Sequence, residues 1–116
     1  MAFDDVTWFE PGRSSTLRGP MLRVSPQYVT ISRELAEDML EESWHVGVRR
    51  QDGRIVLFAQ PTEKGANVMV SRSSRRLGGR TLAAFLREQG VPQTWAEAQV
   101  NRSGQKVNTV RVEWPL

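Results

Sequence analysis

The chain has 116 residues, no cysteine and one histidine, His45. That length supports a single core, while the missing thiols exclude a disulfide framework, a thiolate metal site and a cysteine nucleophile, and one histidine removes most zinc chemistry. The net charge of +3 hides an asymmetry: residues 1–58 carry seven basic and nine acidic side chains, residues 59–116 nine basic and four acidic, and 14 of the 16 basic residues are arginine, whose planar fork suits phosphates and carboxylates.

Residues 1–20 show no sustained period and are punctuated by Pro11-Gly12, Ser14-Ser15 and Gly19-Pro20, which marks an N-terminal arm. Trp8 and Phe9 would be awkward neighbours in solvent, so the arm is expected to dock on the core or on another subunit. Leu22–Val24 and Tyr28–Ile31 are short β-type runs, and Ser25-Pro26-Gln27 between them supplies turn chemistry for a small hairpin. Ser32 is placed to cap a helix running from Arg33 to about Glu42, with Leu35, Ala36, Met39 and Leu40 on one face and Glu34, Glu37, Asp38, Glu41 and Glu42 on the other.

Trp44–Arg50 and Arg54–Gln60 read as strands joined through Asp52-Gly53, a strong hairpin signal. Trp44, Val46 and Val48 alternate on the first, which buries one face. Ile55–Ala59 on the second is apolar on both faces, as a central strand would be. Asn67–Ser71 is the next strand, and Arg72–Arg80 is read as an arginine-rich loop leading into a second helix, Thr81–Gln89, stopped by Gly90 and Pro92. Trp95–Val100 and Lys106–Trp114 form a last hairpin, turning at Arg102-Ser103-Gly104.

The stretch from 22 to 61 is answered by 67 to 115. Val29–Arg33 matches Val68–Arg72, and Trp44 to Gly53 has the same length as Trp95 to Gly104. The reading is an α+β, β-rich domain (residues 21–116) in which duplicated βαββ units form one barrel with two short helices, as a monomeric pseudo-dimer or a homodimer. Trp44 and Trp95 are expected to plug the two ends of its shared core.

Val29-Thr30-Ile31-Ser32-Arg33-Glu34-Leu35, a short helix, a strand and then Asp52-Gly53-Arg54-Ile55-Val56-Leu57 resemble the AbrB/MazE/SpoVT class of small prokaryotic transition-state regulators and antitoxins. Ser32 and Ser71 stand where that class has a proline, and Gln27-Tyr28 where it has Gly-Arg. The resemblance covers about forty residues from Leu22 and implies a swapped-hairpin, cradle-loop barrel that binds DNA, with Arg23 a weak carry-over position for recognition.

Candidate chemistry concentrates between the fifth strand and the second helix. Arg72, Arg75, Arg76 and Arg80 supply charge, Ser73, Ser74 and Thr81 hydroxyls, Gly78 and Gly79 close backbone approach, and a helix N-terminus free N–H groups, a set suited to phosphate. Arg49, Arg50 and Arg54 flank the first hairpin turn and make a second basic tip; Arg102 and Lys106 flank the matching turn. No nucleophile with a base, paired carboxylates or metal cluster is visible, so the chain is read as a non-enzyme needing no cofactor.

The expected function is a cytoplasmic DNA-binding regulator or antitoxin-like module, with duplex favoured and no membrane. Two alternatives stay open. One is a protein-interaction module, such as a phage or mobile-element inhibitor of a host machine, docking through the acidic helix Arg33–Glu42 or the Trp8-Phe9 arm. The other is a binder of a small phosphorylated ligand.

Overall fold

A computed structural model describes residues 19–72 and 74–116; the Trp8-Phe9 arm and Ser73 lie outside them. β1 (Met21–Val24) and β2 (Val29–Ile31) pair antiparallel, with Val24 opposite Val29. The turn between them is closed by Ser25 N–H to the Tyr28 carbonyl at 2.7 Å. Strict alternation buries Leu22, Val24, Val29 and Ile31 and leaves Arg23 and Thr30 on the other face.

Ser32 caps α1 (Arg33–Met39) by accepting from Leu35 N–H at 3.3 Å. The same hydroxyl oxygen accepts from Met21 N–H at 2.9 Å and donates to the Gly19 carbonyl at 3.0 Å. One side chain therefore ties the helix start to β1, which a proline could not do. The helix stops at Met39, short of the expected Glu42. No basic residue sits in its last turn, and Glu41 and Glu42 would oppose the negative end of the helix dipole if it continued.

β3 (Ser43–Gln51) and β4 (Arg54–Thr62) run in unbroken register from Ser43 opposite Thr62 to Gln51 opposite Arg54. Asp52 and Gly53 turn the chain with φ of 52° and 74°, the doubly left-handed geometry for which Asp-Gly is selected. β4 also pairs with β8 (Lys106–Pro115), making it the central strand its two-sided apolar run implied.

The arginine-rich segment is not one loop. β5 (Val68–Val70) turns at Ser71–Ser74, closed by Ser71 N–H to the Ser74 carbonyl at 2.9 Å, and returns as β6 (Arg75–Leu77). Leu77 is the residue that composition concealed: it is 1% exposed and pulls its arginine-rich neighbours into the sheet. The strand that enters α2 (Arg80–Glu88) is thus β6, and Val68–Val70 holds the place of β1 and not, as the sequence match suggested, that of β2.

β7 (Ala96–Ser103) and β8 close the chain, with Ala96 and Ala98 buried and an irregular register between Asn101 and Arg102. The strands follow the order β3-β4-β8-β7-β1-β2-β6-β5, and an isolated bridge between Trp44 and Ala66 brings the two ends together. The result is a β-rich α+β domain, a nearly closed antiparallel barrel with two short helices. With that bridge counted as the β3–β5 contact, every neighbour relation survives exchange of β1–β4 with β5–β8.

The halves also exchange contacts at their tips. Arg102 and Lys106, beside the β7–β8 turn, pair with Asp38 and Glu42 near the end of α1, the latter at 3.7 Å. Arg50, beside the β3–β4 turn, donates to the Gln89 carbonyl at the end of α2 at 3.2 Å. Each hairpin thus rests on the helix of the opposite half. These contacts also spend part of the acidic face of α1 within the chain.

The core joins both halves: Leu22, Val29, Leu35, Met39, Ile55, Leu57, Leu77, Leu86 and Val112 belong to one buried cluster. Burial of each such side chain contributes about 1.5–3 kcal/mol. Trp44 is 1% exposed and donates Nε1–H to the Met39 carbonyl at 2.9 Å. Its counterpart in the core is not Trp95 but Trp114, 2% exposed, which donates to the Thr94 carbonyl at 3.0 Å. With Ala96 and Ala98 facing inward, Trp95 falls on the opposite parity and stays partly exposed.

Candidate nucleic-acid interface

Alternation sets one face of β1, β2, β6 and β5 against the core and turns the other outward. Register places Arg23 beside Thr30, Thr30 beside Arg76 and Arg76 beside Met69. This is one row crossing four strands. Strands lie about 4.8 Å apart, so Arg23 and Arg76 leave the backbone about 10 Å from each other.

Tyr28, just before β2, organises the charge next to this row. The guanidinium carbon of Arg76 lies 3.7 Å from the Tyr28 ring centre and that of Arg80 lies 5.9 Å away. Hydrogen bonding and charge from Arg80, and secondarily the charge of Arg76, hold the phenol below its ordinary pKa of 10.0. At the far end of the row, Arg23 stands 5.1 Å over the Trp95 ring, and its Nε is buried without a hydrogen-bond partner.

Local structure explains how Arg80 arrives there. Gly78 has φ of 66°, and a Cβ at that position would meet Leu82 Cδ2 at 2.9 Å, so glycine makes the sharp passage from β6 into α2. Gly79 is the N-cap and offers no side-chain hydrogen bond, and the first turn contains no acid. Arg80 therefore adds positive charge to the positive end of a helix, an arrangement unfavourable by itself and relieved by an anion.

The other sequence candidates separate. Arg72 is exposed at the β5–β6 turn, and Arg75 opens β6 opposite Val70. Ser74 is engaged in the turn, its hydroxyl 2.9 Å from that of Ser71. Thr81 is exposed and lines a shallow hollow with Gly78, Gly79 and Met69.

Arg49, Arg50 and Arg54 do not join this group. Arg49 lies over Phe58 of β4 at 5.3 Å, a ring it shares with Arg111 of β8 at 5.6 Å. Arg54 pairs with Glu113 at 3.1 Å. Arg50 sits at the C-terminal end of α2, a helix length of about 13 Å from Arg80. Arg102 pairs with Asp38 of α1 and Lys106 with Glu42 just beyond its end, so the second hairpin turn is not a free basic tip. Among the described residues Arg23, Arg76 and Arg80 have no carboxylate within salt-bridge distance.

Sequence reasoning missed Tyr28, Thr30 and Trp95 as members of this face. The signal was the alternation of Leu22-Arg23-Val24 and Val29-Thr30-Ile31, which already placed Arg23 and Thr30 opposite the core. Among the described residues no three His, Asp or Glu side chains are grouped to hold a metal ion, and no helix is long and apolar enough to cross a membrane. No protein-family model matches the chain, and no curated protein or solved structure matches it either.

Proposed function

We propose that the chain is a DNA-binding module, a regulator or antitoxin-like protein of the AbrB/MazE/SpoVT type in which two related halves within one chain supply the barrel that this class builds from two. Support for the kinship comes from the Val29–Leu35 and Asp52–Leu57 motifs and from a strand order that survives exchange of the halves. The observation that carries the function is the convergence of Arg76 and Arg80 on Tyr28, on an outward sheet face and without a carboxylate partner among the described residues. Arginines held by stacking, with no carboxylate partner among the described residues, are set for phosphate oxygens, and phosphate contacts dominate DNA affinity.

Arg23, Arg76 and Arg80 are assigned the main phosphate contacts, with Arg72 and Arg75 assisting from the β5–β6 turn. The test is anisotropy of a labelled mixed-sequence duplex, titrated at several salt concentrations. Wild-type protein is expected to bind at low salt and to weaken steeply as salt rises. Replacing both Arg76 and Arg80 with alanine should flatten the log–log salt slope by about two, roughly one for each lost contact. Absence of binding even at low salt would rule the proposal out.

One observation favours a second reading. Met69 and Val70 on β5 are 49% and 56% exposed, on a strand whose outward side faces the lightly bridged seam of the barrel. An exposed apolar strand edge suits a protein partner. That reading predicts tight protein association and no attraction to DNA. Stabilisation by a mononucleotide with no dependence on DNA length would instead support the small phosphorylated ligand.

A further inference from the structure

We infer that the free edge of β3 takes an acidic peptide as an added strand; this goes beyond the DNA reading and does not depend on it. Trp44 spends both of its backbone groups on Ala66, each bond 2.8 Å long. Along an antiparallel ladder the two groups of one residue point the same way and alternate from residue to residue, and the β3–β4 register is unbroken. Val46, Val48 and Arg50 therefore aim their N–H and carbonyl groups away from β4. Among the described residues no backbone group meets them, because the seam beside β3 is bridged only at Trp44 and Ala66. Sheet proteins blunt such an edge with proline, lysine or a bulge, and β3 has none of these over its nine residues.

The two hairpin tips differ in how their charge is met. At the β7–β8 turn, Arg102 and Lys106 are paired with Asp38 and Glu42. At the β3–β4 turn, the end of α2 offers Arg50 only the Gln89 carbonyl, at 3.2 Å, and Arg49 binds the Gln51 amide oxygen at 2.9 Å. Both arginines are exposed, on opposite sides of one strand, and among the described residues neither has a carboxylate within salt-bridge distance. A peptide bearing acids supplies here what Asp38 and Glu42 supply at the other tip. Between His45 and Arg49 stands Gly47, with nothing within 4 Å of where a Cβ would lie, so a side chain of the added strand has room beside Phe58, the cross-strand neighbour of Gly47. Backbone bonds give a strand addition its affinity, and such side-chain contacts its choice of partner. A second copy fits less well, since antiparallel self-pairing would gather the arginines of both copies on one ribbon.

The test uses the full chain and two labelled eight-residue peptides, one alternating valine with glutamate and one alternating valine with lysine, read by anisotropy. Wild-type protein should bind the glutamate peptide at least about tenfold more tightly than the lysine peptide. Val48→Pro removes one free N–H, leaves the bonds to β4 in place, and should abolish binding of the glutamate peptide. Amide hydrogen exchange needs no variant: that peptide should slow exchange at Val46, Val48 and Arg50 and leave Gly47 and Arg49, which face β4, unchanged. Failure of the glutamate peptide to bind, equal binding of the two peptides, or binding without that alternating protection overturns the proposal. Slow exchange at Val46, Val48 and Arg50 in the free protein overturns it too, because the edge is then already taken. So does self-association of the wild type that Val48→Pro abolishes, which would give the edge to a second copy.

Discussion

Arg76 stacks on Tyr28 at 3.7 Å, the shortest of the arginine–aromatic contacts among the described residues. The pairing joins β6 to the residue that enters β2, so it ties the two halves together on the face where both present charge. It also gives the site a built-in reporter, because Tyr28 is the only tyrosine in the chain.

Ultraviolet titration of the phenolate should give a midpoint below 10.0, since Arg80 first and Arg76 second favour the charged form. Arg80→Ala should move the midpoint upward. Bound DNA should also raise it, because phosphate disfavours a nearby phenolate and draws the arginines away. The linked effect on folding has a definite sign. A depressed folded pKa adds stability that is fully present above the unfolded value and lost as pH falls through the folded midpoint. It therefore contributes nothing near neutral pH. A midpoint at or above 10.0 would contradict the arrangement.

Arginines engaged with carboxylates should matter little to DNA. Arg54→Ala and Arg102→Ala each break an exposed or partly exposed pair, of a kind that contributes about 0–1 kcal/mol to folding. Affinity for the duplex at near-physiological salt should stay within about threefold of wild type, where screening limits distant charges to a Debye length of about 8 Å. A large loss in either variant, measured by anisotropy beside the Arg76/Arg80 pair, would move the interface to the hairpin tips.

The tryptophans should divide sharply in urea unfolding. Trp44→Ala empties a site 1% exposed and frees the Met39 carbonyl, so a loss of about 3–5 kcal/mol is expected. Trp95→Ala removes a partly exposed ring and should cost about 1 kcal/mol or less. Equal losses would place Trp95 in the core after all.

Barrel closure depends on Gly65. A Cβ there would press into the Trp44 carbonyl and lie 2.7 Å from Thr62 Cγ2, where Trp44 and Ala66 exchange two backbone hydrogen bonds of 2.8 Å. Gly65→Ala should destabilise by about 1–3 kcal/mol. Gly47→Ala meets nothing within 4 Å and should be neutral or stabilising by up to about 1 kcal/mol. Thermal melts of the two variants decide the point.

Local chemistry made much of the architecture legible in the sequence. Asp52-Gly53 set the β3–β4 hairpin, Ser32 and the spacing of Leu35, Ala36 and Met39 set α1, and the apolar run Ile55–Ala59 set the central strand. Strand β6 was not legible, because Arg75-Arg76-Leu77 carries only one apolar residue and is a strand only through its partners on β2 and β5. Half of the candidate site was visible as an arginine cluster. The other half, Tyr28, Thr30 and Trp95, belongs to different elements and is assembled by cross-strand register.

Periodicity, turn chemistry and capping act over a few residues, and from them the sequence by itself determined a β-rich domain with two short helices, its main hairpins and its excess of arginine. Which tryptophan enters the core, which arginines have no carboxylate partner among the described residues and which strands lie side by side were decided only by the tertiary structure. The reason is the two-residue period of a strand: a shift of one position moves every side chain to the other face, and only packing against the rest of the barrel chooses between the two.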